Sequence, residues 1–135
     1  MEYLLKSRDG RTVGRFEYRP KQISAYRRRC TDLAECIDLD SLRRLTQIDI
    51  SADGHALTPE GEEILAAAQN TIYQALNRLL GYDGAAEKIF AEISPFASVG
   101  GTFFCIPVID KIVEVVTQGN IPDGFRKNFQ DLWRK

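Results

Sequence analysis

Apolar and polar residues alternate near the start of the chain, which is the pattern of a half-buried β-strand. Two short runs, residues 3–7 and 12–18, flank the segment Arg8-Asp9-Gly10-Arg11, and the second run alternates. Asp-Gly is favoured in tight hairpin turns, so the sequence predicts a β-hairpin that Pro20 closes. Because an isolated hairpin is only marginally stable, we expect it to pack on helices or to pair with the edge of another chain.

Beyond the hairpin, apolar residues recur at steps of three and four, which is the spacing of an amphipathic helix. Thr58 and Pro59 predict the start of a long helix, and Gly81 predicts its end. Asp40 and Asp83 are predicted to cap two shorter helices. The predicted helices span residues 21–37, 41–47, 58–80, 84–93 and 103–118, and a final amphipathic segment covers 122–135.

These elements predict a mainly α fold, a single small domain of about five helices with a short N-terminal β-hairpin. Residues 1–19 would form the hairpin, residues 20–118 the helical core and residues 119–135 a C-terminal helical tail. The chain has 135 residues, of which 44% are hydrophobic and 27% charged, so it can bury a core and disorder is not expected.

Two features of the sequence bear on its location. No apolar run reaches the ~18 residues that a membrane span needs. The first residues are too few and too acidic for a signal peptide. We therefore expect no contact with a membrane and a cytoplasmic location.

The sequence contains no recognisable catalytic, cofactor-binding or metal-binding motif. His55 is the only histidine, and the cysteines Cys30, Cys36 and Cys105 form no C-x-x-C pair. There is no glycine-rich phosphate loop with its lysine. The acidic group at 60–63 is explained by the positive end of the helix dipole that it would face. We therefore predict no catalytic residue, no cofactor and no metal, and expect that the protein is not an enzyme.

Charge is unevenly distributed, although the whole chain carries only −1. Residues 1–29 hold nine basic and three acidic side chains, whereas residues 51–100 hold two basic and seven acidic ones. This polarity is suited to orienting a partner or a second copy of the chain.

The basic end includes one cluster, Arg27, Arg28 and Arg29, which is a candidate partner-binding site. Three successive helical residues fan around a helix and do not form one strip. A solvated face, contact with an acidic protein and contact with nucleic acid all remain open. Nucleic acid is the least favoured, because the chain as a whole is not basic.

Aromatic residues of the tail form the second candidate partner-binding site. Phe125, Phe129 and Trp133 recur at steps of four, so they would share one helical face. Three roles remain open for this face. It closes the core, it docks in the groove of a neighbour, or it leaves its seat and exposes a groove.

A pattern in the second half of the chain is familiar. Residues 76–90 read LNRLLGYDGAAEKIF, and Ser94-Pro95-Phe96 and then GTFFC at 101–105 follow. The pattern is a helix ending in a leucine-glycine step, an acidic-glycine linker, a Glu-Lys-Ile-Phe helix start, a Pro-Phe pair and an aromatic-Cys helix opening. It resembles the small tail assembly chaperones of long-tailed phages and of prophages in Gram-positive bacteria. The resemblance covers residues 72–116, about a third of the chain.

The resemblance implies a non-enzymatic role. Such chaperones bind the long helical tape-measure protein and keep it soluble until the tail tube assembles around it, and they are absent from the mature virion. The resemblance thus implies the tape-measure protein as partner, and self-association is expected along such a client. Two alternatives remain, namely a small helical DNA-binding regulator and a structural head–tail connector subunit.

Overall fold

The computed structural model describes residues 1–131, and its first element is the predicted hairpin. β1 (Glu2–Lys6) and β2 (Thr12–Glu17) pair antiparallel, with a bulge toward the turn. Val13 and Phe16 are buried, so one face of the hairpin is part of the core. The predicted hairpin is therefore confirmed.

Six α-helices and one 3₁₀ helix are found within the described residues. The prediction of a mainly α fold is confirmed, but there are six helices instead of about five, and the sixth lies in the segment predicted as a helical tail. The helices are α1 (Ile23–Cys36), α2 (Leu39–Arg43), a 3₁₀ helix (Arg44–Gln47), α3 (Pro59–Leu80), α4 (Ala85–Ile89), α5 (Cys105–Val116) and α6 (Phe125–Asp131). Two short antiparallel strands, β3 (Ser98–Val99) and β4 (Thr102–Phe103), lie between α4 and α5.

α3 is the long central helix, and the sequence predicted both of its ends. It has 22 residues and is therefore about 33 Å long. The side-chain oxygen of Thr58 accepts a hydrogen bond from the backbone N–H of Gly61 at 3.0 Å, which satisfies one unpaired donor of the first turn. Gly81 ends the helix in the left-handed conformation, with φ of 83°.

The predicted cap of α2 is wrong by two residues. Asp38 caps this helix, not Asp40. The carboxylate of Asp38 accepts hydrogen bonds from the backbone N–H groups of Asp40 and Ser41, at 3.1 and 3.4 Å. Asp38 is held in place from the other side, because its own N–H donates to the hydroxyl of Thr71 on α3 at 2.8 Å.

The predicted cap and length of α4 are also wrong. Gly84 occupies the cap position in place of Asp83, and a glycine has no side chain that could bond to the helix. The side-chain oxygen of Asn77 on α3 instead accepts from the N–H of Ala86 at 3.0 Å. α4 ends at Ile89, not at residue 93, and its last carbonyl groups lie against Gly14 of the hairpin.

One continuous core joins the hairpin to the helices. The core includes side chains of the hairpin and of every α-helix, among them Phe16, Tyr26, Leu33, Leu42, Ile72, Leu76, Leu79, Ile89, Phe96, Ile109, Ile112, Val113 and Phe129.

Within residues 1–131, no helix is both long enough and apolar enough to cross a bilayer.

The contact between β2 and α4 is unusually close. A Cβ atom added at Gly14 would lie 2.0 Å from the carbonyl oxygen of Ile89 and 3.1 Å from that of Lys88. No side chain fits in this space, so the hairpin can dock on α4 only where the strand carries glycine.

Replacement of this glycine is therefore expected to be costly. We predict that Gly14→Ala lowers the free energy of unfolding by about 3 kcal/mol, because backbone atoms must separate to admit the methyl group. Denaturant unfolding measures the effect. Arg15→Ala, at an exposed position of the same strand, is the control and should change the free energy by less than about 0.5 kcal/mol. Equal stability of Gly14→Ala and the unsubstituted protein would contradict the close contact.

Candidate interaction surfaces

The structure divides the arginine cluster. Arg27 and Arg28 are exposed on α1, whereas Arg29 is half-buried. The Nη1 atom of Arg29 donates a hydrogen bond to the carbonyl oxygen of Leu79 at 3.3 Å. Its guanidinium also lies over the ring of Tyr26, 5.5 Å from the centroid.

Arg29 therefore has a structural role. Leu79 is in the last turn of α3, where the carbonyl groups have no partner within the helix and carry the negative end of its dipole. A cation there stabilises the helix end. The guanidinium is also packed close to Gly81, where an added Cβ would lie 2.9 Å from Nη1. Only Arg27 and Arg28 remain as exposed members of the cluster.

A cleft of about 450 Å³ lies beside Arg29, between the hairpin, the start of α1 and the end of α3. Two tyrosine hydroxyls that line the cleft accept hydrogen bonds from backbone groups of the protein itself. The hydroxyl of Tyr26 accepts from the backbone N–H of Arg19 at 2.8 Å, and that of Tyr82 accepts from the N–H of Glu17 at 2.9 Å. These bonds tie the hairpin to the helices.

The tail aromatics lie inside the protein as far as the structure describes them. Phe125 and Phe129 are buried, at 6% and 3% exposure, and their rings stack with centroids 5.9 Å apart. Trp133 lies outside the described residues. In this conformation the phenylalanines close the core, so they can reach a partner only if α6 leaves its position.

α6 (Phe125–Asp131) packs in a groove formed by α1 and α5, and we call this groove the seat of α6. Outside the aromatic pair, Arg126 holds α6 to α5. Its Nε atom donates to Asp110 at 3.0 Å, and its Nη2 atom lies 4.0 Å from Glu114. All three side chains are about half-exposed, and a bond of this kind contributes at most about 1 kcal/mol.

Sequence reasoning missed this ion pair. Asp110 and Glu114 are one helical turn apart on α5, which placed both on one face. Nothing in the sequence indicated that an arginine of the tail would meet them, because the pairing depends on how α6 docks.

The residues considered for metal binding and catalysis are His55 and the cysteines. Within the described part of the chain, no group of three or more His, Cys, Asp or Glu side chains is positioned to hold a metal ion. His55 is exposed and lies 3.8 Å from Asp53. Burial raises the pKa of Cys30 to about 12 and also raises the pKa of Cys105, so both thiols are protonated at neutral pH.

Comparison with protein-family models, with curated proteins and with solved structures finds no match to this chain.

Substitution of the half-buried Arg29 and of the exposed Arg28 should change the stability of the protein to different extents. We predict that Arg29→Ala lowers the free energy of unfolding by about 1 kcal/mol, because the last turn of α3 loses a charged donor and Tyr26 loses its covering cation. Arg28→Ala, the matched control on the same helix, should change it by less than about 0.5 kcal/mol. Thermal or denaturant unfolding measures both. A larger loss for Arg28→Ala than for Arg29→Ala would refute the assignment.

Proposed function

We propose that this protein is a non-enzymatic tail assembly chaperone of a long-tailed phage or a Gram-positive prophage. It binds the tape-measure protein in the host cytoplasm, keeps it soluble while the tail tube assembles, and is absent from the mature virion. The resemblance over residues 72–116 supports this function. The observation that carries it is the seat of α6, because it is shaped to hold an amphipathic helix.

The client would bind by taking the place of α6. The seat accepts a short helix that presents two aromatic side chains four residues apart, namely Phe125 and Phe129. The described part of α6 has seven residues, and contacts with α1 and α5 hold it in position. A long tape-measure helix with apolar residues at the same spacing can compete for this groove.

The exposed Arg27 and Arg28 supply a second contact. They lie on α1, which forms one wall of the seat, and can pair with acidic side chains of a client helix. The DNA-binding alternative is less well supported, because two exposed arginines remain where the sequence offered three. The connector alternative differs in one observable, since a connector subunit is present in purified virions.

Affinity purification during phage or prophage growth tests the proposed function. Tagged protein is recovered from the cells, and its partners are identified by mass spectrometry with and without nuclease treatment. The proposal predicts recovery of one very long helical tail protein in both samples, and no copy of the chain in purified virions. Recovery of DNA alone, or detection of the chain in virions, would contradict it.

The exchange of α6 for a client helix leads to a sharper prediction. Arg126→Glu places a third negative charge beside Asp110 and Glu114, so it weakens the docking of α6 without changing its aromatic face. If the client occupies the vacated seat, its affinity rises by about three- to tenfold, since less energy is needed to displace α6. Titration of the captured tail protein by calorimetry or fluorescence measures this change.

Lys127→Glu is the matched control. It makes the same charge change on the next residue of α6, which is exposed and makes no ion pair with any described residue. The affinity of the Lys127→Glu variant for the client should stay within about twofold of the affinity of the unsubstituted protein. Weaker binding by Arg126→Glu than by Lys127→Glu would show that α6 binds the client while docked, and would overturn the exchange.

A further inference from the structure

Within residues 1–131, one edge of the N-terminal hairpin has no backbone partner. Met1 and Tyr18 exchange two backbone hydrogen bonds, at 2.9 and 3.0 Å. Bonded and non-bonded pairs alternate in an antiparallel ladder, so the N–H and C=O groups of Glu2 and Leu4 point away from β2. The same holds for Lys6, because Ser7 beyond the bulge donates its N–H toward the opposite side of the hairpin, to the carbonyl oxygen of Arg11 at 2.8 Å. No backbone or side-chain group within residues 1–131 is hydrogen-bonded to them.

The other edge of the hairpin is covered. The outward N–H of Glu17 donates to the hydroxyl of Tyr82, and Gly14 packs against the carbonyl groups at the end of α4. β1 is therefore the edge that can accept a further strand. An unprotected edge strand is a template for pairing with another chain.

We infer that β1 pairs antiparallel with β1 of a second copy of this chain, around a two-fold axis at Leu4. The strand reads Glu-Tyr-Leu-Leu-Lys, which is complementary to itself when reversed. Glu2 of each copy then lies opposite Lys6 of the other, and the two Leu4 side chains lie opposite each other. The result is a four-stranded sheet in the order β2-β1-β1-β2.

The hydrogen-bonding pattern selects this register. Only the outward-facing residues Glu2, Leu4 and Lys6 can form bonded pairs with another strand, so a slip by one residue is excluded. A slip by two residues places Glu2 or Lys6 opposite Leu4 and shortens the ladder. The register centred on Leu4 alone pairs all five residues and both sets of opposite charges.

Two features of the single chain are explained by this pairing. Leu4 is 40% exposed, one of three large apolar side chains so exposed within the described residues. Pairing would cover it with its own copy at the centre of the interface. Glu2 also lies directly opposite Glu17, which is an unfavourable like-charge pair. Lys6 of the second copy would lie on the other side of Glu2 and offset this repulsion.

Lys6 can take part without losing its present contact. Its ammonium group donates to the hydroxyl of Thr12 at 2.8 Å. An ammonium group has three donors, so it can also bond to Glu2 of the second copy.

This pairing goes beyond the proposed function and does not require a client. It is measured on the protein alone, and its failure would leave the exchange of α6 untouched. Sedimentation equilibrium of the full chain is the first measurement, and a dimer is expected at concentrations of about 100 μM. A protein that is still monomeric at about 100 μM would overturn the inference.

Charge exchange tests the register. Glu2→Lys and Lys6→Glu each convert two attractive pairs of the interface into repulsive ones, so each should raise the dimer dissociation constant at least about tenfold. The double variant E2K/K6E restores opposite charges and should recover the original dissociation constant within about threefold. An equimolar mixture of the two single variants should form a mixed dimer, because every pair is then complementary.

Lys21→Glu is the control for charge change, because it lies outside the hairpin and is exposed. It should leave the dissociation constant unchanged, and circular dichroism should show that all variants are folded. A dimer that is indifferent to the single exchanges would overturn the inference. So would a double variant or a mixture of single variants that remains monomeric.

Discussion

The rest of the structure depends on the packing of its neighbours against the buried face of α3. α1, α2, the 3₁₀ helix and α4 all pack against this helix. α2 and α4 have five residues each and would not be stable alone. Each is held by a polar side chain of α3 as well as by packing, α2 by Thr71 and α4 by Asn77. The position of α4 in turn determines where the hairpin docks, through the contact at Gly14.

The seat of α6 and the edge of β1, two of the surfaces that we propose for interaction, lie away from this centre. α6 packs on α1 and α5, and β1 pairs with β2. Each is supported on one side only, so each can be exchanged or extended without disturbing α3. Because the seat of α6 does not include β1, a dimer formed through β1 would present two seats to one long client. Two linked sites bind such a client more tightly than one, without any new contact.

Local sequence signals predicted the elements whose ends are determined locally. Thr58-Pro59 and Gly81 gave both ends of α3, and Asp9-Gly10 gave the hairpin turn. The prediction for α4 failed at a place where distant residues take part. α4 is shorter than its apolar pattern suggests. Its last carbonyl groups lie against a strand about 75 residues earlier, and the acceptor for its first turn comes from α3. A glycine inside an alternating strand was the one local sign of that contact.

The candidate sites could be predicted only in part for the same reason. Arg27, Arg28 and Arg29 are equivalent in the sequence, and the separation of Arg29 from the others depends on a carbonyl group 50 residues away. The burial of Phe125 and Phe129 agreed with one of the three roles left open for the tail. The sequence predicted that the hairpin could pair with the edge of another chain, but the choice of β1 and the register required the hydrogen-bond pattern of the hairpin.

The central claim is that this protein keeps a long helical tail protein in solution. Co-expression with the long tail protein that the affinity purification recovers tests it most directly, with the soluble fraction of that protein as the readout. The account predicts that this fraction rises several-fold when the chain is present and that the two proteins elute together. A tape-measure protein that stays insoluble beside abundant folded chain would contradict the account.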